Sequence, residues 1–466
     1  MPEGHRLDPT ILREYDIRGI VPDTLNAAAA RAIGCAFGSI LLDRGGKSAV
    51  VGYDGRLTSP ALEAALVEGL SSTGIGVVRI GLGPTPMLYY AQTTLPTDAG
   101  LMITGSHNPP DYNGIKLVLD GKPFFADDIR WLGECAGRGD FTIGEGKVTE
   151  KAVLSDYVAR LLSDYEPGGG APLKVAWDAG NGAAGEALTR LCEGLPGSHI
   201  LLNEDIDGTF PAHHPDPTVE SNLQQLKDTV ATQGCDLGIA FDGDGDRIGV
   251  IDGRGRVLWG DQLMVILAAE VLADQPGATI IADVKSSRVF FDEITRLGGK
   301  PLMWKTGHSH IKNKMAEVGS PLAGEMSAHI FFKHRYYGYD DALYVAVRLL
   351  SAVNRSGESL AVSYDRLPVM VNTPELRFDC PEDRKFKVIE EVKAQAGENG
   401  RKGKTEVAAE IKGIRDGWLA EWTALLNSDD VPINTYRVIW ELQNTLDKEN
   451  SIVTHDAGAP RATIMP

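Results

Sequence analysis

Thr104-Gly-Ser-His-Asn-Pro-Pro-Asp-Tyr-Asn-Gly-Ile-Lys116 is the stretch around which the rest of the chain can be arranged. It follows the apolar run 100–103, which predicts a short buried strand that delivers Ser106 into a loop. Pro109 and Pro110 exclude a helix there, because proline lacks an N–H donor and restricts the residue before it. The pattern predicts a rigid loop that presents one hydroxyl, although an ordinary capped turn would show the same residues.

Ser106 has no nucleophile-elbow pattern around it, since the chain does not read Gly-x-Ser-x-Gly at this point. Acyl transfer is therefore a poor fit. A serine that carries a phosphoryl group instead needs a divalent cation to spread the charge and basic residues to hold a second phosphate. The hypothesis of a phosphoserine thus requires an acidic cluster and a basic pocket elsewhere in the chain.

The composition limits the classes of partner. The 466 residues are enough for about three domains. With 46 basic against 64 acidic residues the net charge is −18, which disfavours binding to nucleic acid or to an anionic membrane surface. An anionic substrate would therefore need a local basic pocket.

The cysteines and the apolar runs favour a cytoplasmic location. The 5 cysteines are scattered and never form a Cys-x-x-Cys pair, which is typical of a reducing compartment. The start of the chain has no apolar run of the signal-peptide type. The longest apolar tract, residues 263–273, is too short to span a bilayer and contains Glu270.

A repeated order of strand, loop and helix predicts an α/β fold. Residues 49–54, 174–178 and 278–283 are apolar runs that each end in an aspartate, followed by a turn. Such units build largely parallel, buried sheets, whose ligands collect at the carboxyl ends of the strands. After the first run, Ser59 and Pro60 are predicted to cap and begin a helix. The turn at residues 253–256 is predicted to mark a junction between units.

The strongest motif is Asp236-Leu-Gly-Ile-Ala-Phe-Asp-Gly-Asp-Gly-Asp-Arg247. Asp242, Asp244 and Asp246 would repel one another without a cation, and the glycines between them let three carboxylates meet one hard ion. An EF-hand is excluded, because its sixth position would be Arg247 and its twelfth Gly253. The pattern favours Mg²⁺ with open positions for water or a phosphate oxygen, whereas an acidic solvated turn is the plainer alternative.

Two further loops offer polar groups. Lys305-Thr-Gly-His-Ser-His310 brings His308 to a glycine turn, where a purely structural histidine is the alternative. In Gly324-Glu-Met-Ser-Ala-His329, the alternation of Glu325 and Ser327 suits hydrogen bonding to neighbouring sugar hydroxyls. Arg18, near the start of the chain, could equally pair on the surface.

Together these stretches resemble the α-D-phosphohexomutase superfamily, and most closely its phosphomannomutase/phosphoglucomutase branch. The motifs occur in the family's order: YDIRG, TGSHNP, DGTFPAHHPDPTVESNL, FDGDGDR, KTGHSHIK and GEMSAH. The resemblance implies a heart-shaped, four-domain α/β architecture: three similar α/β domains with mixed, largely parallel sheets and a smaller C-terminal α+β domain. The expected ranges are 1–150 for the phosphoserine loop, 151–253 for the metal loop, 254–367 for sugar recognition and 368–466 for phosphate binding.

The resemblance also implies site residues. Ser106 corresponds to the phosphoserine, which together with Asp242, Asp244 and Asp246 would hold Mg²⁺, and Lys116 to the proton shuttle. The other residues implied around the transferring phosphoryl group are Arg18, His107, Asn108 and Arg247. The residues implied for sugar and phosphate contacts are Lys285, His308, Glu325, Ser327, His329, Asn434 and Thr435.

The implied reaction is a reversible isomerisation of hexose 1-phosphate and hexose 6-phosphate, with mannose or glucose as the sugar. Phosphoserine would donate to the free hydroxyl, and a hexose 1,6-bisphosphate would serve as intermediate and activator. The implied partners are small sugar phosphates, with no nucleic acid and no membrane, and the implied assembly is a monomer or a weak homodimer.

The chain departs from the family's last motif, an Arg-x-Ser-Asn-Thr loop that grips the non-transferring phosphate. The nearest substitute is Val431-Pro-Ile-Asn-Thr435, which keeps Asn434 and Thr435 but has valine in place of the arginine. The loss of a bidentate arginine would weaken binding by about 1–3 kcal/mol. Ala328, where relatives have glycine, is predicted to stiffen the sugar loop.

Two alternatives follow from the same residues. A phosphoglucosamine mutase would share the serine and the aspartates, but Met326 favours mannose and glucose phosphates. The altered C-terminal motif would also fit a catalytically weak or silent protein that only binds sugar phosphates.

Overall fold

The computed structural model describes residues 4–368 and, further along the chain, Cys380, Arg384, 387–391, Ala394, Gly413, Asp416 and Gly417. The chain forms two compact units, Met1–Pro368 and Val369–Pro466. All elements described below belong to the first unit. The predicted phosphate residues Asn434 and Thr435 lie outside the described residues.

The first sheet carries the serine loop. Its strands are β1 (Ile17–Ile20), β2 (Ser48–Tyr53), β3 (Gly76–Leu82), β4 (Ala99–Ile103), β5 (Tyr112–Leu119), β6 (Lys122–Pro123) and β7 (Val148–Glu150). They follow the order β1-β5-β4-β2-β3-β7, with β6 beside β5. β2 pairs in parallel with β3 and β4, and β5 is antiparallel to β4 and β1. Its helices are α1 (Ala27–Asp43), α2 (Ser59–Ser71), α3 (Thr85–Thr94) and α4 (Asp127–Arg138).

The second sheet carries the acidic turn. Its elements are α5 (Leu154–Leu162), β8 (Lys174–Asp178), α6 (Gly185–Gly194), β9 (Ser198–Leu202), α7 (Gln224–Gln233), β10 (Leu237–Phe241), β11 (Ile248–Asp252) and β12 (Val257–Leu258). The strand order is β12-β11-β10-β8-β9. β8 is parallel to β9 and β10, and the next two pairings are antiparallel.

The third sheet carries the two remaining loops. Its elements are α8 (Gly260–Asp274), β13 (Thr279–Asp283), α9 (Arg288–Arg296), β14 (Lys300–Trp304), α10 (His308–Val318), β15 (Leu322–Gly324), β16 (Ile330–Phe332), α11 (Ala342–Ser356) and α12 (Leu360–Asp365). The strand order is β14-β13-β15-β16, parallel except for the last pair.

The predicted α/β class with three mixed sheets is confirmed. The central strands β4, β10 and β11 are buried along their whole length, as expected for strands covered on both faces. The carboxyl ends of β4, β10 and β15 deliver the serine, aspartate and sugar loops.

Two local predictions need correction. Ser59 is the first residue of α2 and not its cap; Thr58 occupies the cap position and makes no capping hydrogen bond with its side chain. The Ser59 hydroxyl donates instead to Oδ1 of Asp54 over 2.5 Å. Residues 253–256 form the turn between β11 and β12, so the second sheet continues to Leu258. The predicted domain ranges themselves remain predictions.

In the described part of the chain, no helix is both long and apolar enough to cross a membrane.

Candidate active site

Ser106 lies in the loop that leaves the carboxyl end of β4. Only 3% of the residue is exposed, and its main chain adopts φ +47°, in the left-handed region. The Ser106 N–H donates to Oγ1 of Thr104 over 2.8 Å. Its hydroxyl donates to Oδ2 of Asp242 over 2.9 Å, and Nδ1 of His107 lies 3.2 Å from the same hydroxyl oxygen. The hydroxyl therefore faces the acidic turn.

The three aspartates occupy the turn between β10 and β11. Asp242, Asp244 and Asp246 are buried, and one carboxylate oxygen of each lies within 4.8 Å of the others. The N–H of Asp246 donates to Oδ1 of Asp242 over 3.0 Å, which fixes the turn. Gly243 lets the turn press against the serine loop, because a Cβ there would lie 2.4 Å from the carbonyl oxygen of Ser106.

Lys116, on β5, balances the charge of this turn. Its Nζ donates to Oδ2 of Asp244 over 2.6 Å and to Oδ2 of Asp246 over 2.5 Å. Burial alone would lower the pKa of Lys116, but these two carboxylates outweigh burial and raise it. Burial likewise opposes ionisation of both aspartates, yet Lys116 lowers the pKa of each. The lysine and the two carboxylates are therefore charged.

The donor set fits a hard divalent cation. Burial, together with the charges of Asp246 and Asp244, raises the pKa of Asp242, so additional positive charge would stabilise its ionised form. Oδ1 of Asp244 is buried and accepts no hydrogen bond from any described residue. Three carboxylates with spare oxygen capacity, beside a serine oxygen, form the kind of site that Mg²⁺ uses.

Arg18 and Asn108 lie on the open side of the serine. Nη1 of Arg18 donates to the carbonyl oxygen of Gly105 over 2.7 Å and also to Oδ1 of Asn108, while Nη2 pairs with Asp16. Nε of Arg18 is buried and has no hydrogen-bond partner within the described residues. This N–H is placed to meet an added acceptor such as a phosphate oxygen.

His329, next to β16, connects the sugar loop to the acidic turn. Its Nδ1 lies 3.0 Å from Oε2 of Glu325 and its Nε2 lies 3.3 Å from Oδ1 of Asp246. Burial would lower the pKa of His329, but Asp246 and Glu325 raise it to about 9. These two carboxylates favour the protonated ring, whereas the hydrogen bond that Nε of Arg247 donates to Nε2 over 3.3 Å requires that nitrogen to be an acceptor.

His308 and His107 have the opposite electrostatics. Burial, followed by the charges of Lys312 and Lys116, lowers the pKa of His308. Burial and the neighbouring charge of Arg247 lower the pKa of His107. Both rings are neutral, so each can donate or accept one hydrogen bond at a sugar hydroxyl or phosphate.

Glu325 and Ser327 form the centre of the sugar loop. Oε1 of Glu325 accepts from the N–H of Gly307, and the Ser327 hydroxyl donates to Oε2 of Glu325 over 3.3 Å. Ala328, between Ser327 and His329, adopts φ +69°, a conformation that costs an alanine about 1 kcal/mol. The predicted stiffness of this loop remains a prediction.

A cavity of about 230 Å³ joins these loops. It is lined by residues from all three sheets: Arg13, Tyr15, Asp16, Arg18, Ser106, His107, Asn108, Lys116, Arg247, His308 and His329. Glu325 and Ser327 reach this site through their contacts with His329. Lys285 is exposed on the turn after β13, so its predicted phosphate contact remains a prediction.

Sequence reasoning missed several residues of this site. Tyr15 donates through its hydroxyl to the carbonyl oxygen of Thr306 over 3.0 Å and so ties the start of the chain to the histidine loop. Thr85 donates to Oδ2 of Asp244 over 2.5 Å. Arg56 is buried behind the serine loop. The only sequence signal for the last was an aspartate and a turn at the end of β2.

Comparison with known proteins identifies the family of this chain. Three domain families match in order: the phosphoglucomutase/phosphomannomutase alpha/beta/alpha domain I at residues 9–142, domain II at 155–255 and domain III at 259–370. A phosphomannomutase/phosphoglucomutase of Pseudomonas aeruginosa is 41% identical over 448 residues, 96% of this chain and 95% of that protein. A phosphoglucomutase of Neisseria meningitidis is 39% identical over 441 residues, 94% of each.

Solved structures show the same relationship. The crystal structure of a phosphoglucomutase/phosphomannomutase family protein from Burkholderia thailandensis superposes with a TM-score of 0.79 at 42% identity, covering 86% of this chain and 87% of that one. A protein described as a putative phosphomannomutase from Thermus thermophilus shares the fold, with a TM-score of 0.70 at 23% identity over 78% of this chain and 84% of that one. The chain belongs to the phosphoglucomutase/phosphomannomutase family.

Proposed function

We propose that this chain, a hexose phosphate mutase by family, interconverts the 1- and 6-phosphates of mannose or glucose through a phosphorylated Ser106 and a hexose 1,6-bisphosphate. The observation that carries the mechanism is the contact of the Ser106 hydroxyl with Asp242, 2.9 Å away, in a buried set of three carboxylates. A serine oxygen beside such a set suits phosphoryl transfer and not acyl transfer.

The chain's own residues supply positioning and charge. In the forward half-reaction the free sugar hydroxyl attacks phosphorus, a new P–O bond forms, and the bond between phosphorus and Oγ of Ser106 breaks. The sugar hydroxyl loses its proton and the serine oxygen regains one. Lys116 is the proposed shuttle for these protons. Asp244 and Asp246 hold it protonated despite its burial, so it can give its proton to the serine oxygen as the bond from phosphorus to Oγ breaks. The neutral amine then takes up the proton that the sugar hydroxyl loses, and Lys116 ends the step protonated again. The reverse half-reaction returns the other phosphoryl group to Ser106.

We propose that Asp242, Asp244, Asp246 and an oxygen on Ser106 hold Mg²⁺. When bound, the cation would neutralise charge on the oxygens of the transferring phosphoryl group. Chelation with EDTA should abolish turnover and Mg²⁺ should restore it. Turnover that survives complete removal of divalent cations would contradict the assignment.

The cationic residues around the cavity support two phosphate positions. Arg18 and Arg247 line it beside Ser106, which favours a role at the transferring phosphoryl group. Asp246 and Glu325 raise the pKa of His329 to about 9. His308 begins α10 and Lys285 lies in the turn after β13, so both belong to the same α/β unit as His329, which favours sugar and phosphate contacts there. Glu325 and Ser327 are proposed to hold neighbouring sugar hydroxyls. The roles of Asn434 and Thr435 remain predictions.

The decisive assay measures conversion of glucose 1-phosphate and mannose 1-phosphate with Mg²⁺ and a trace of glucose 1,6-bisphosphate. Glucosamine 6-phosphate serves as the comparison substrate, because its preferred use would reveal a phosphoglucosamine mutase; none of the relatives above carries that name. Intact mass separates an enzyme from a silent binding protein, because an active enzyme should carry about 80 Da of phosphate. Ser106→Ala should lose both the added mass and the turnover while the fold is retained.

We also propose a cytoplasmic location and a monomer or weak homodimer, as the acidic composition and the scattered cysteines suggest. Cell fractionation and light scattering at several protein concentrations test these two points. A stable higher oligomer would contradict the second.

A further inference from the structure

Arg56 is a buried arginine whose side chain donates hydrogen bonds to the main chain of the serine loop. It follows β2, and only 1% of the residue is exposed. Its Nη1 donates to the carbonyl oxygens of Pro109 over 2.5 Å and Tyr112 over 2.9 Å. Its Nη2 donates to the carbonyl oxygens of Ser106 over 2.7 Å and Asn108 over 2.6 Å. One guanidinium therefore joins four main-chain carbonyls of the loop that carries the proposed phosphoserine.

These contacts commit four of the five N–H groups of Arg56 to the serine loop. A guanidinium has five N–H groups, and the four on Nη1 and Nη2 are taken by carbonyl oxygens. The fifth, on Nε, is buried and makes no hydrogen bond within the described residues; Nε lies 3.4 Å from Oδ2 of Asp54 in an ion pair. Arg56 thus differs from Arg18 and Arg247, which line the cavity.

Asp54 accepts hydrogen bonds from the main chain of both Arg56 and the serine loop. Its Oδ1 accepts from the N–H of Arg56 over 3.0 Å and from the hydroxyl of Ser59. Its Oδ2 accepts from the N–H of Gly105, the residue before Ser106, over 3.0 Å. A Cβ on Gly105 would lie 2.2 Å from Nε of Arg56, so the loop and the guanidinium are packed with no spare room.

Phe210, from the segment that follows β9, covers the guanidinium. Its ring centroid lies 5.1 Å from Cζ of Arg56, within the range of a cation–π interaction. Phe210 adopts φ +52°, an uncommon conformation for a bulky residue, and its N–H donates to the carbonyl oxygen of Asp207 over 3.0 Å. The second α/β domain therefore fixes the position of Arg56 from its outer side.

We propose that Arg56 is a positioning residue for phosphoryl transfer, acting through the main chain of the serine loop and not through substrate. It holds Ser106 in its left-handed conformation, so that the Ser106 hydroxyl stays beside Asp242. Such a conformation costs about 1–2 kcal/mol for a residue other than glycine and persists where surrounding contacts over-determine it. This inference rests on the proposed function of Ser106.

The test compares Arg56→Met, Arg56→Lys and a matched control, Arg31→Met. Arg31 is a partly exposed arginine on α1 that pairs with Glu68. Because a misplacement of about 1 Å can cost about 100-fold in rate, Arg56→Met should lower kcat about 100-fold. The KM for glucose 1-phosphate should stay within about twofold of the wild-type value. Arg56→Lys should recover part of kcat, and the control should behave as wild type.

The phosphorylated fraction of Ser106 provides a second readout. After incubation with glucose 1,6-bisphosphate, intact mass should show slower phosphorylation of Arg56→Met than of wild type. An unchanged kcat in Arg56→Met would overturn the proposal, as would a rise in KM with kcat unchanged, which would mean that Arg56 binds substrate.

Asp54→Asn keeps the inference testable if loss of Arg56 prevents folding. Circular dichroism first shows whether each variant is folded. Folded Asp54→Asn should show a fall in kcat of about 10-fold with KM unchanged. An unchanged kcat would overturn the positioning role. So would failure of both Asp54→Asn and Arg56→Met to fold, because the two residues would then serve the fold and not the reaction. Wild type without turnover would instead refute the proposed function, and the inference with it.

Discussion

Lys116→Met should make the stability of this protein depend strongly on Mg²⁺. The substitution keeps a long apolar side chain but removes the ammonium that lies 2.6 Å from Asp244 and 2.5 Å from Asp246. Breaking a buried ion pair by removing one partner costs about 3–5 kcal/mol, because the remaining charge is left uncompensated. Here two carboxylates lose their partner, so we expect the free energy of unfolding in EDTA to fall by about 3–5 kcal/mol.

Mg²⁺ should reverse much of this loss, because it would supply the missing charge to the same carboxylates. Wild type should gain less from the cation, since Lys116 already compensates the turn. Ligand stabilisation grows as RT ln(1 + c/Kd), where c is the free Mg²⁺ concentration, so a Mg²⁺ titration of the free energy of unfolding gives Kd for each protein. Urea unfolding of wild type and variant, each in EDTA and in Mg²⁺, measures the difference.

Lys312→Met is the matched control for this experiment. Lys312 is also a buried lysine with a carboxylate partner, at 2.9 Å from Asp340, but it makes no hydrogen bond to the three aspartates among the described contacts. The variant should be destabilised to a similar extent. It should gain less from Mg²⁺ than Lys116→Met, because within the described residues Asp340 approaches the acidic turn only at Asp246. The reasoning is refuted if Lys116→Met is as stable as wild type in EDTA, or if Mg²⁺ stabilises both lysine variants equally.

Three further predictions concern single positions. Gly243→Ala would place a Cβ 2.4 Å from the carbonyl oxygen of Ser106, so it should separate the serine and aspartate loops and lower kcat about 100-fold; wild-type kcat would contradict this. Ala328→Gly relieves about 1 kcal/mol of backbone strain, but the lost burial of the methyl group and the more flexible unfolded chain cost a similar amount. The free energy of unfolding in urea should therefore change by less than about 1 kcal/mol. A change above about 2 kcal/mol would show that the two contributions do not cancel. Burial raises the pKa of Asp341 from 3.8 to about 6, so the native state binds this proton more tightly than the unfolded state does. The protonated carboxyl therefore contributes about 3 kcal/mol to the free energy of unfolding below pH 4, and this contribution is lost as the pH rises through 6. Asp341→Asn should remove that part of the pH dependence of unfolding, and an unchanged profile would contradict the assignment.

The strands and the acidic turn could be predicted because their causes are local. An apolar run such as the one before Ser106 is stable when it is buried in the middle of a sheet. Three aspartates that alternate with glycine repel one another unless a cation or a lysine compensates their charge. In the structure the Ser106 hydroxyl donates to Asp242, so the loop and the acidic turn that were predicted separately lie side by side.

The remaining features depend on contacts between distant segments. The four acceptors of Arg56 are main-chain carbonyls, which have no signature in the sequence. Ser59 satisfied every local rule for a helix cap, yet its hydroxyl bonds to Asp54, because that carboxylate organises the turn after β2. The turn at residues 253–256 resembled a junction, because a glycine-rich hairpin turn and a linker have the same composition.

Transfer of phosphate from Ser106 to a sugar is the most direct test of the proposed mechanism. Protein labelled with radioactive phosphate from glucose 1,6-bisphosphate is mixed with unlabelled mannose 1-phosphate and Mg²⁺, and the reaction is quenched at short times. The label should leave the protein at the rate of turnover and appear in sugar phosphates, and Ser106→Ala should take up no label. Label that stays on the protein while product forms, or that enters Ser106→Ala equally well, would contradict the account.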